Sequence, residues 1–194
     1  YGEVVVISVE WRAVLVLLHL VSTLLMAAPF YMLIVVNERA RFAVPPGYNT
    51  DRYMENIIKA QPQRCYAFLG VILVSGAILV WGAGLDLAAI ATNWALLLKI
   101  GIFVVLLALL SYVHLGIQPG IERVLANFAP GTTLPEAERP ALVRLRIRRK
   151  RLSAVCLFLV LCEVSLGVGV FAAYSPILTL AFVVVAALFA WRAY

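Results

Sequence analysis

The stretch 94–117, WALLLKIGIFVVLLALLSYVHLGI, decides the structural class of this protein. It is almost entirely apolar, and Lys99 is the only Asp, Glu, Lys or Arg residue in it. A helix needs about 20 apolar residues to cross a hydrocarbon core of ~30 Å. Four further stretches of this kind lie at 11–36, 65–84, 152–173 and 177–191. The sequence therefore predicts an all-α membrane protein with five transmembrane helices, forming a single integral membrane domain over 1–194.

The overall composition excludes the main soluble classes. Of the 194 residues, 64% are hydrophobic and 13% are charged, whereas soluble domains are about 45–50% apolar and about 25% charged. The three cysteines, Cys65, Cys156 and Cys162, lie in or beside apolar runs without the spacing of a disulfide scaffold. GxSxG, HExxH and phosphate-loop motifs are absent from the sequence. Because only short loops lie outside the apolar runs, we expect no catalysis by the chain alone.

Basic residues predict the orientation in the membrane. Fourteen of the sixteen lysines and arginines lie in the stretches 37–64 and 118–151 or at Arg192, and the other two are Arg12 and Lys99. Cytoplasmic loops carry an excess of lysine and arginine. The loops 37–64 and 118–151 are therefore expected to be cytoplasmic, with the N-terminus outside and the C-terminus inside.

The densest basic run, RLRIRRKR at 144–151, is typical of a juxtamembrane segment that binds anionic lipid headgroups. It has no interleaved aromatic residues or recognisable module, so nucleic-acid binding is not expected. Pro140 suits the first turn of a helix and predicts that the fourth span continues a cytoplasmic helix. The predicted lipid contacts are Arg144, Arg146, Arg148, Arg149, Lys150 and Arg151.

Ionisable residues inside membrane spans are costly and are functional candidates by default. With a rise of ~1.5 Å per residue, His19 lies ~7 Å and Lys99 ~10 Å on the outer side of their span midpoints. Glu163 lies close to the centre of the fourth span. All three groups are therefore expected in the outer half of the bilayer, within reach of one another.

His19 belongs to a stripe of three residues on one helix face. Arg12, His19 and Met26 are spaced by seven, so they drift only ~20° per step around the helix. Ser22 and Thr23, three and four residues after His19, flank the same face.

Two interpretations of this polar cluster stay open. In the first, His19 is the axial metal ligand of a b-type haem, with Met26 beneath it and the propionates directed to Arg12 or Lys99. In the second, the chain has no cofactor: His19 bonds Glu163 or a backbone carbonyl, and Lys99 pairs with Glu163 as an internal clasp.

The remaining histidine, His114, lies near the cytoplasmic end of its span, ~20 Å from His19 along the membrane normal. Both therefore cannot ligate one metal ion. We expect His114 to form interfacial hydrogen bonds.

Three stretches resemble spans of the CopD-like and DUF2269-type membrane proteins: LHLVSTLLMAAPFYMLIVVNERARF, RCYAFLGVILVSGAILVW and NWALLLKIGIFVVLLALLSYVHLGIQPGIERV. The resemblance covers about 12–165. It implies an antiparallel four-helix bundle in a bacterial inner membrane, with a polar site in its outer half and the C-terminal helix as an addition. The positions of His19 and Lys99 are also similar to those of the HemJ-type protoporphyrinogen oxidases, which bind haem and depend on a first-span histidine and a third-span lysine.

Three functions follow as alternatives. The first is a membrane subunit of a respiratory or photosynthetic electron-transfer complex, with haem b at His19 if a cofactor is bound. The second is a purely structural accessory subunit without a cofactor. The third, implied by the resemblance, is a HemJ-like porphyrin oxidase or a CopD-like copper permease. The first two require other membrane subunits as partners.

Overall fold

The computed structural model of the chain describes residues 8–38, 47–84, 87–127, 129–171 and 175–194. The described residues form helices and contain no β-strand, which confirms the all-helical class for this part of the chain. Arg39 and Arg41, which contribute to the orientation prediction, lie outside the described residues. The helices are α1 (Val9–Asn37), α2 (Tyr48–Lys59), α3 (Gln61–Gly82), α4 (Leu87–Thr92), α5 (Trp94–Ser111), a π-helical turn (Tyr112–Ile117), α6 (Gln118–Ala126), α7 (Arg139–Phe171) and α8 (Pro176–Ala193).

Three helical stretches in the described residues are long and apolar enough to cross a membrane: Val9–Asn37, Tyr48–Gly82 and Trp94–Ala126. The second joins the polar helix α2 to α3, and the third joins α5 to α6 through the π-helical turn. A shorter apolar helix covers Ile177–Ala193. The described part of the chain is therefore all-helical with three candidate membrane-spanning helices, and the count of five spans stays a prediction.

The long helices pack around a shared apolar core. Helix α1 contacts α3 and α7 most extensively, α5 contacts α7 and α3, and α8 packs mainly on α7. The core between them contains Met26, Phe30, Cys65, Leu106 and Val160, all of which are buried. A second apolar cluster, which includes Ile117, Ile121, Leu134 and Leu142, lies among the π-helical turn, α6 and the start of α7.

The π-helical turn has a local cause in the sequence. Pro119 has no N–H to donate to the carbonyl of Leu115, and in a regular α-helix its ring would clash with that carbonyl. Widening the preceding turn into a π-helix removes this conflict. The turn also fixes the direction of Gln118, which is buried in the site described below.

Helix α7 is a single helix of 33 residues that begins at Arg139, with Pro140 in its first turn. Residues 152–171 of the predicted fourth span are thus continuous with the helix that precedes them, and the crossing of a membrane by this stretch stays a prediction. At 1.5 Å per residue the helix is ~50 Å long, which exceeds the ~30 Å hydrocarbon thickness. Its first 13 residues, 139–151, which include the basic run, therefore extend beyond its apolar part.

Candidate functional site

Four charged side chains are buried together between the two apolar clusters. Asp51 and Glu55 of α2 meet Arg146 and Arg149 of α7, and these residues are between 0% and 4% exposed. Two negative and two positive formal charges balance within the group. We call these four residues, together with the buried amides of Asn37 and Gln118, the ionic cluster.

Arg149 occupies the centre of the ionic cluster and uses all five of its N–H groups. Its Nη1 and Nη2 donate to the two carboxylate oxygens of Glu55 at 2.7 and 2.8 Å. Nη1 also donates to Gln118 Oε1 at 2.7 Å, and Nε and Nη2 both donate to Asn37 Oδ1, at 3.1 and 2.8 Å. A guanidinium carries five donors in a fixed planar fork, so the site is matched to arginine rather than to lysine.

Arg146 completes the pairing. It donates to Glu55 Oε1 from Nη2 at 3.1 Å and from Nε at 3.3 Å, and it also forms an ion pair with Asp51. Asp51 accepts the backbone N–H of Gly47 at 2.7 Å, which fixes the start of α2. Buried charges are tolerated only when they are paired and hydrogen-bonded, and each charge in this cluster meets that condition.

The arginines determine the protonation of Glu55. Burial by itself raises the pKa of this carboxyl, but the hydrogen bond and charge of Arg149, the charge of Arg146 and the hydrogen bond of Gln118 outweigh it. The net effect is a pKa below the usual 4.5. Helix α2, which contains Glu55, is polar and precedes the predicted span at 65–84. Because the pKa of Glu55 is below its usual value, the carboxyl is ionised at neutral pH.

Two more ion pairs lie beside the ionic cluster. Lys150, whose side chain is 1% exposed, pairs with Glu38 at the end of α1, and Arg52 of α2 lies 2.9 Å from Glu122 of α6. Helices α1, α2, α6 and α7 are thus joined by charged contacts at one end of the molecule, which we call the ionic end.

The structure corrects the interpretation of the basic run 144–151. Arg146, Arg149 and Lys150 are buried and paired with carboxylates, so in this structure they do not face lipid headgroups. The reason is the helical period: these three residues lie on the side of α7 that faces α1 and α2. Arg144, Arg148 and Arg151 lie on the opposite side and are exposed.

In the apolar part of the molecule, His19 contacts α3. Its Nδ1 lies 3.0 Å from Ser75 Oγ. Ser75 has one hydroxyl proton, which it donates to the carbonyl of Val71 at 2.6 Å, so its oxygen accepts from His19 Nδ1–H. Neutral His19 therefore carries its proton on Nδ1 and keeps the lone pair on Nε2. A Cβ added at Gly76 would lie 3.2 Å from His19 Cε1, so glycine allows this close approach.

Lys99 and Glu163 form an ion pair between α5 and α7. Lys99 Nζ lies 3.0 Å from Glu163 Oε2 and donates to the backbone oxygen of Glu163 at 3.2 Å. The side chains are 16% and 10% exposed. Glu163 Oε1 is buried and has no hydrogen-bond partner in the described part of the chain. The close approach occurs over Gly167, where a Cβ would lie 3.3 Å from Lys99 Nζ.

The other predicted site residues lie in different environments. Arg12 is exposed, but Met26 is 1% exposed and belongs to the apolar core. Ser22 and Thr23 are buried, and the Thr23 hydroxyl donates to the carbonyl of His19 at 2.8 Å, within the same helix. His19 bonds Ser75 and is also hydrogen-bonded to the Ile72 backbone, and a backbone carbonyl is one of the two partners that the clasp interpretation expects.

At least one polar contact joins each neighbouring pair among the four helices α1, α3, α5 and α7. His19–Ser75 joins α1 to α3, and Tyr66 donates to Ser111 Oγ at 3.2 Å to join α3 to α5. Lys99–Glu163 joins α5 to α7, and Arg149–Asn37 joins α7 back to α1. We call these four contacts the polar ring.

His114 lies at the π-helical turn, with its ring centroid 5.7 Å from that of Tyr66. Its Nδ1 is buried without a hydrogen-bond partner among the described residues, and the residue lines a small cavity of about 20 Å³ together with Cys65, Cys156 and Arg149. The described residues contain no group of three or more histidine, cysteine or acidic side chains able to hold a metal ion.

The sequence analysis missed Asn37, Asp51, Glu55 and Gln118. A usable signal was present, because Asp51 and Glu55 are four residues apart and Arg146 and Arg149 three apart, both typical of one helix face. Opposite charges at helical spacing in the two loops assigned to one side of the membrane predict a contact between those loops.

Comparisons with known protein families, curated proteins and solved structures find no match to this chain.

Proposed function

We propose that this chain is a structural accessory subunit of a larger membrane complex, with no catalytic activity of its own. The polar ring is the observation that carries this proposal. In a bilayer, helices gain no hydrophobic free energy from packing on one another, so polar contacts and close packing hold them together. The polar ring supplies one such contact to each of the pairs α1–α3, α3–α5 and α5–α7, and its fourth contact, Arg149–Asn37, joins α7 to α1 at the ionic end.

The Lys99–Glu163 pair supports the structural role most directly. A lone charged residue at the centre of a membrane helix costs roughly 2.5–3.5 kcal/mol on insertion scales. Here each charge is compensated by the other within the chain, and Lys99 also binds a backbone oxygen. Both side chains are therefore used in joining α5 to α7.

The outer surface of the helices is consistent with lipid or other subunits around them. Large apolar side chains are exposed on several helices, among them Trp191 at 82%, Leu115 at 70% and Trp81 at 68%. We propose a bacterial inner membrane, with the N-terminus outside and the ionic end in the cytoplasm, on the basis of the positive-inside rule.

The test compares tagged wild type with Lys99→Met, Glu163→Met and the double variant Lys99→Met/Glu163→Met by native electrophoresis of mild-detergent extracts. We expect wild type in an assembly larger than the 21.3 kDa chain. Each single variant should lose the assembly, because an unpaired buried charge remains. The double variant should keep it. Wild type that migrates only as a monomer would contradict the proposal, as would single variants that assemble normally.

A second candidate is a haem-bearing subunit of an electron-transfer complex. It is favoured by the His19–Ser75 contact, since a metal-ligating histidine commonly donates its second ring N–H to a neighbouring acceptor and offers the other nitrogen to the metal. A haem b on Nε2 would supply one-electron transfer. Arg12 is exposed and fits a propionate partner, whereas Met26 is buried in the core and does not fit the position beneath the ring.

A reduced-minus-oxidised spectrum with pyridine haemochrome, taken on the purified chain in mild detergent, separates the two candidates. A b-type signal that His19→Ala removes and that Ser75→Ala weakens would establish the haem-bearing subunit. A flat spectrum from folded protein would exclude it and leave the structural role.

A further inference from the structure

We propose that Arg144, Arg148 and Arg151 form a binding site for the phosphate headgroup of an anionic phospholipid. At 100° per residue these three positions lie within ~60° of one another on α7. They are exposed, whereas the buried members of the same run, Arg149 and Lys150, lie on the opposite side of the helix. We call the exposed residues the arginine stripe.

The arginine stripe has no carboxylate partner among the residues that the structure describes. In the described part of the chain, none of the three arginines forms an ion pair with a carboxylate, although the buried basic residues of the same run all do. Three positive charges on one helix face, without carboxylate partners in the described ranges, attract an anion.

Aromatic groups at neighbouring helix ends hold two of the three side chains. The Arg148 guanidinium lies over the Tyr112 ring, 5.2 Å from its centroid, and Arg151 Nε donates to the Tyr194 hydroxyl at 3.1 Å. Cation–π and hydrogen-bond contacts of this kind leave most guanidinium N–H groups available to a ligand. Tyrosine is also enriched at the membrane–water interface.

The depth of the stripe identifies a lipid as the ligand. Arg151 directly precedes the predicted span at 152–173, Arg148 lies ~6 Å and Arg144 ~12 Å before that span. The headgroup region on each side of the hydrocarbon core is ~5–7 Å thick. Arg148 and Arg151 therefore lie at the level of lipid phosphates, and the long side chain of Arg144 can reach back toward them.

The test measures how many phosphatidylglycerol molecules each purified full-length chain retains in native mass spectrometry after titration in neutral detergent. The stripe variant is Arg144→Gln/Arg148→Gln/Arg151→Gln. The matched control is Lys59→Gln/Arg64→Gln/Arg123→Gln. It removes the same number of positive charges from other exposed positions in the predicted cytoplasmic loops 37–64 and 118–151. A charge-retaining variant, Arg144→Lys/Arg148→Lys/Arg151→Lys, separates charge from any loss of fold, and thermal unfolding without added lipid checks that each variant is folded.

We expect the apparent affinity for phosphatidylglycerol to fall about tenfold or more in the glutamine stripe variant and much less in the control. The lysine variant should keep most of the binding, and added salt should weaken it in the wild type. Phosphatidylcholine should not compete.

Three outcomes would overturn the proposal. Equal losses in the stripe variant and the control would show attraction by net charge alone. Equal retention of phosphatidylcholine would show that the headgroup charge is irrelevant. Competition by glycerol phosphate at the same phosphate concentration would assign the site to a soluble phosphate. None of these outcomes depends on whether His19 binds haem or on whether the chain joins a larger complex.

Discussion

Arg149 and Glu55 are 94 positions apart in the sequence, yet the guanidinium of one meets the carboxylate of the other through two hydrogen bonds of 2.7 and 2.8 Å, and neither side chain is exposed. This two-point contact fixes α2 against α7. Helix α2, which lies in the predicted loop 37–64, is thereby packed against the interior of the molecule. The ionic end is therefore a structured region.

Replacing Arg149 tests how much its guanidinium group contributes to the stability of the folded chain. Arg149→Lys keeps the charge but cannot make all five hydrogen bonds at once, and Arg149→Ala leaves Glu55 buried without its main partner. Breaking a buried ion pair in this way costs ~3–5 kcal/mol. We expect Arg149→Ala to lower the thermal unfolding temperature in detergent strongly, and Arg149→Lys to lower it less. Arg148→Lys, on the exposed side of the same helix, is the control and should unfold like wild type.

The Lys99–Glu163 pair predicts non-additive energies. Lys99→Met and Glu163→Met should each destabilise the folded chain, because each leaves the other residue's charge buried and unpaired. The double variant should be more stable than the sum of the two losses implies, because it leaves no unpaired charge. Detergent-denaturation curves of the four proteins give this double-mutant cycle. An additive result would mean that the two side chains contribute independently.

Glycine substitutions in α3 probe the contact between His19 and Ser75. A Cβ at Gly76 would lie 3.2 Å from His19 Cε1, whereas a Cβ at Gly70, on the same helix, would meet nothing within 4 Å. We expect Gly76→Ala to displace the imidazole and to lower the unfolding temperature. Gly70→Ala should leave it unchanged or raise it slightly, since alanine favours helix. Equal effects from both variants would contradict the assigned contact.

The lowered pKa of Glu55 predicts how stability depends on pH. A carboxylate whose pKa is lower in the folded chain stabilises that chain above its unfolded pKa, near 4.5, and this stabilisation is lost as the pH falls through the lowered value. In Glu55→Gln this contribution is absent at every pH. The difference in unfolding temperature between wild type and Glu55→Gln should therefore be constant from pH 8 to about pH 5 and shrink in more acidic buffer. A difference that grows on acidification would show that Arg149 does not lower this pKa.

The helical class and the approximate helix bounds follow from apolar runs, because burial of the backbone polar groups in a membrane leaves little choice but helix. The meeting of Lys99 with Glu163 follows from their similar depth. The partner of His19 could not be predicted in this way, because Ser75 is one of several small polar residues and no sequence pattern distinguishes it from the others. The composition of the basic run does not show which of its side chains are buried. In a helix, Arg149 and Arg148 lie on different faces, so Arg149 is buried and Arg148 is exposed.

The continuous helix α7 also constrains the order in which the protein is made. Lys99, Asn37, Asp51, Glu55 and Gln118 all take their partners from this helix, and all of them leave the ribosome before it. Until residues 146–163 emerge, the earlier helices carry buried charges without counter-charges and cannot reach their final packing. Completion of the bundle is therefore a late event in biosynthesis, and a chain truncated before Arg139 keeps the α1–α3 and α3–α5 contacts but lacks every partner that α7 supplies.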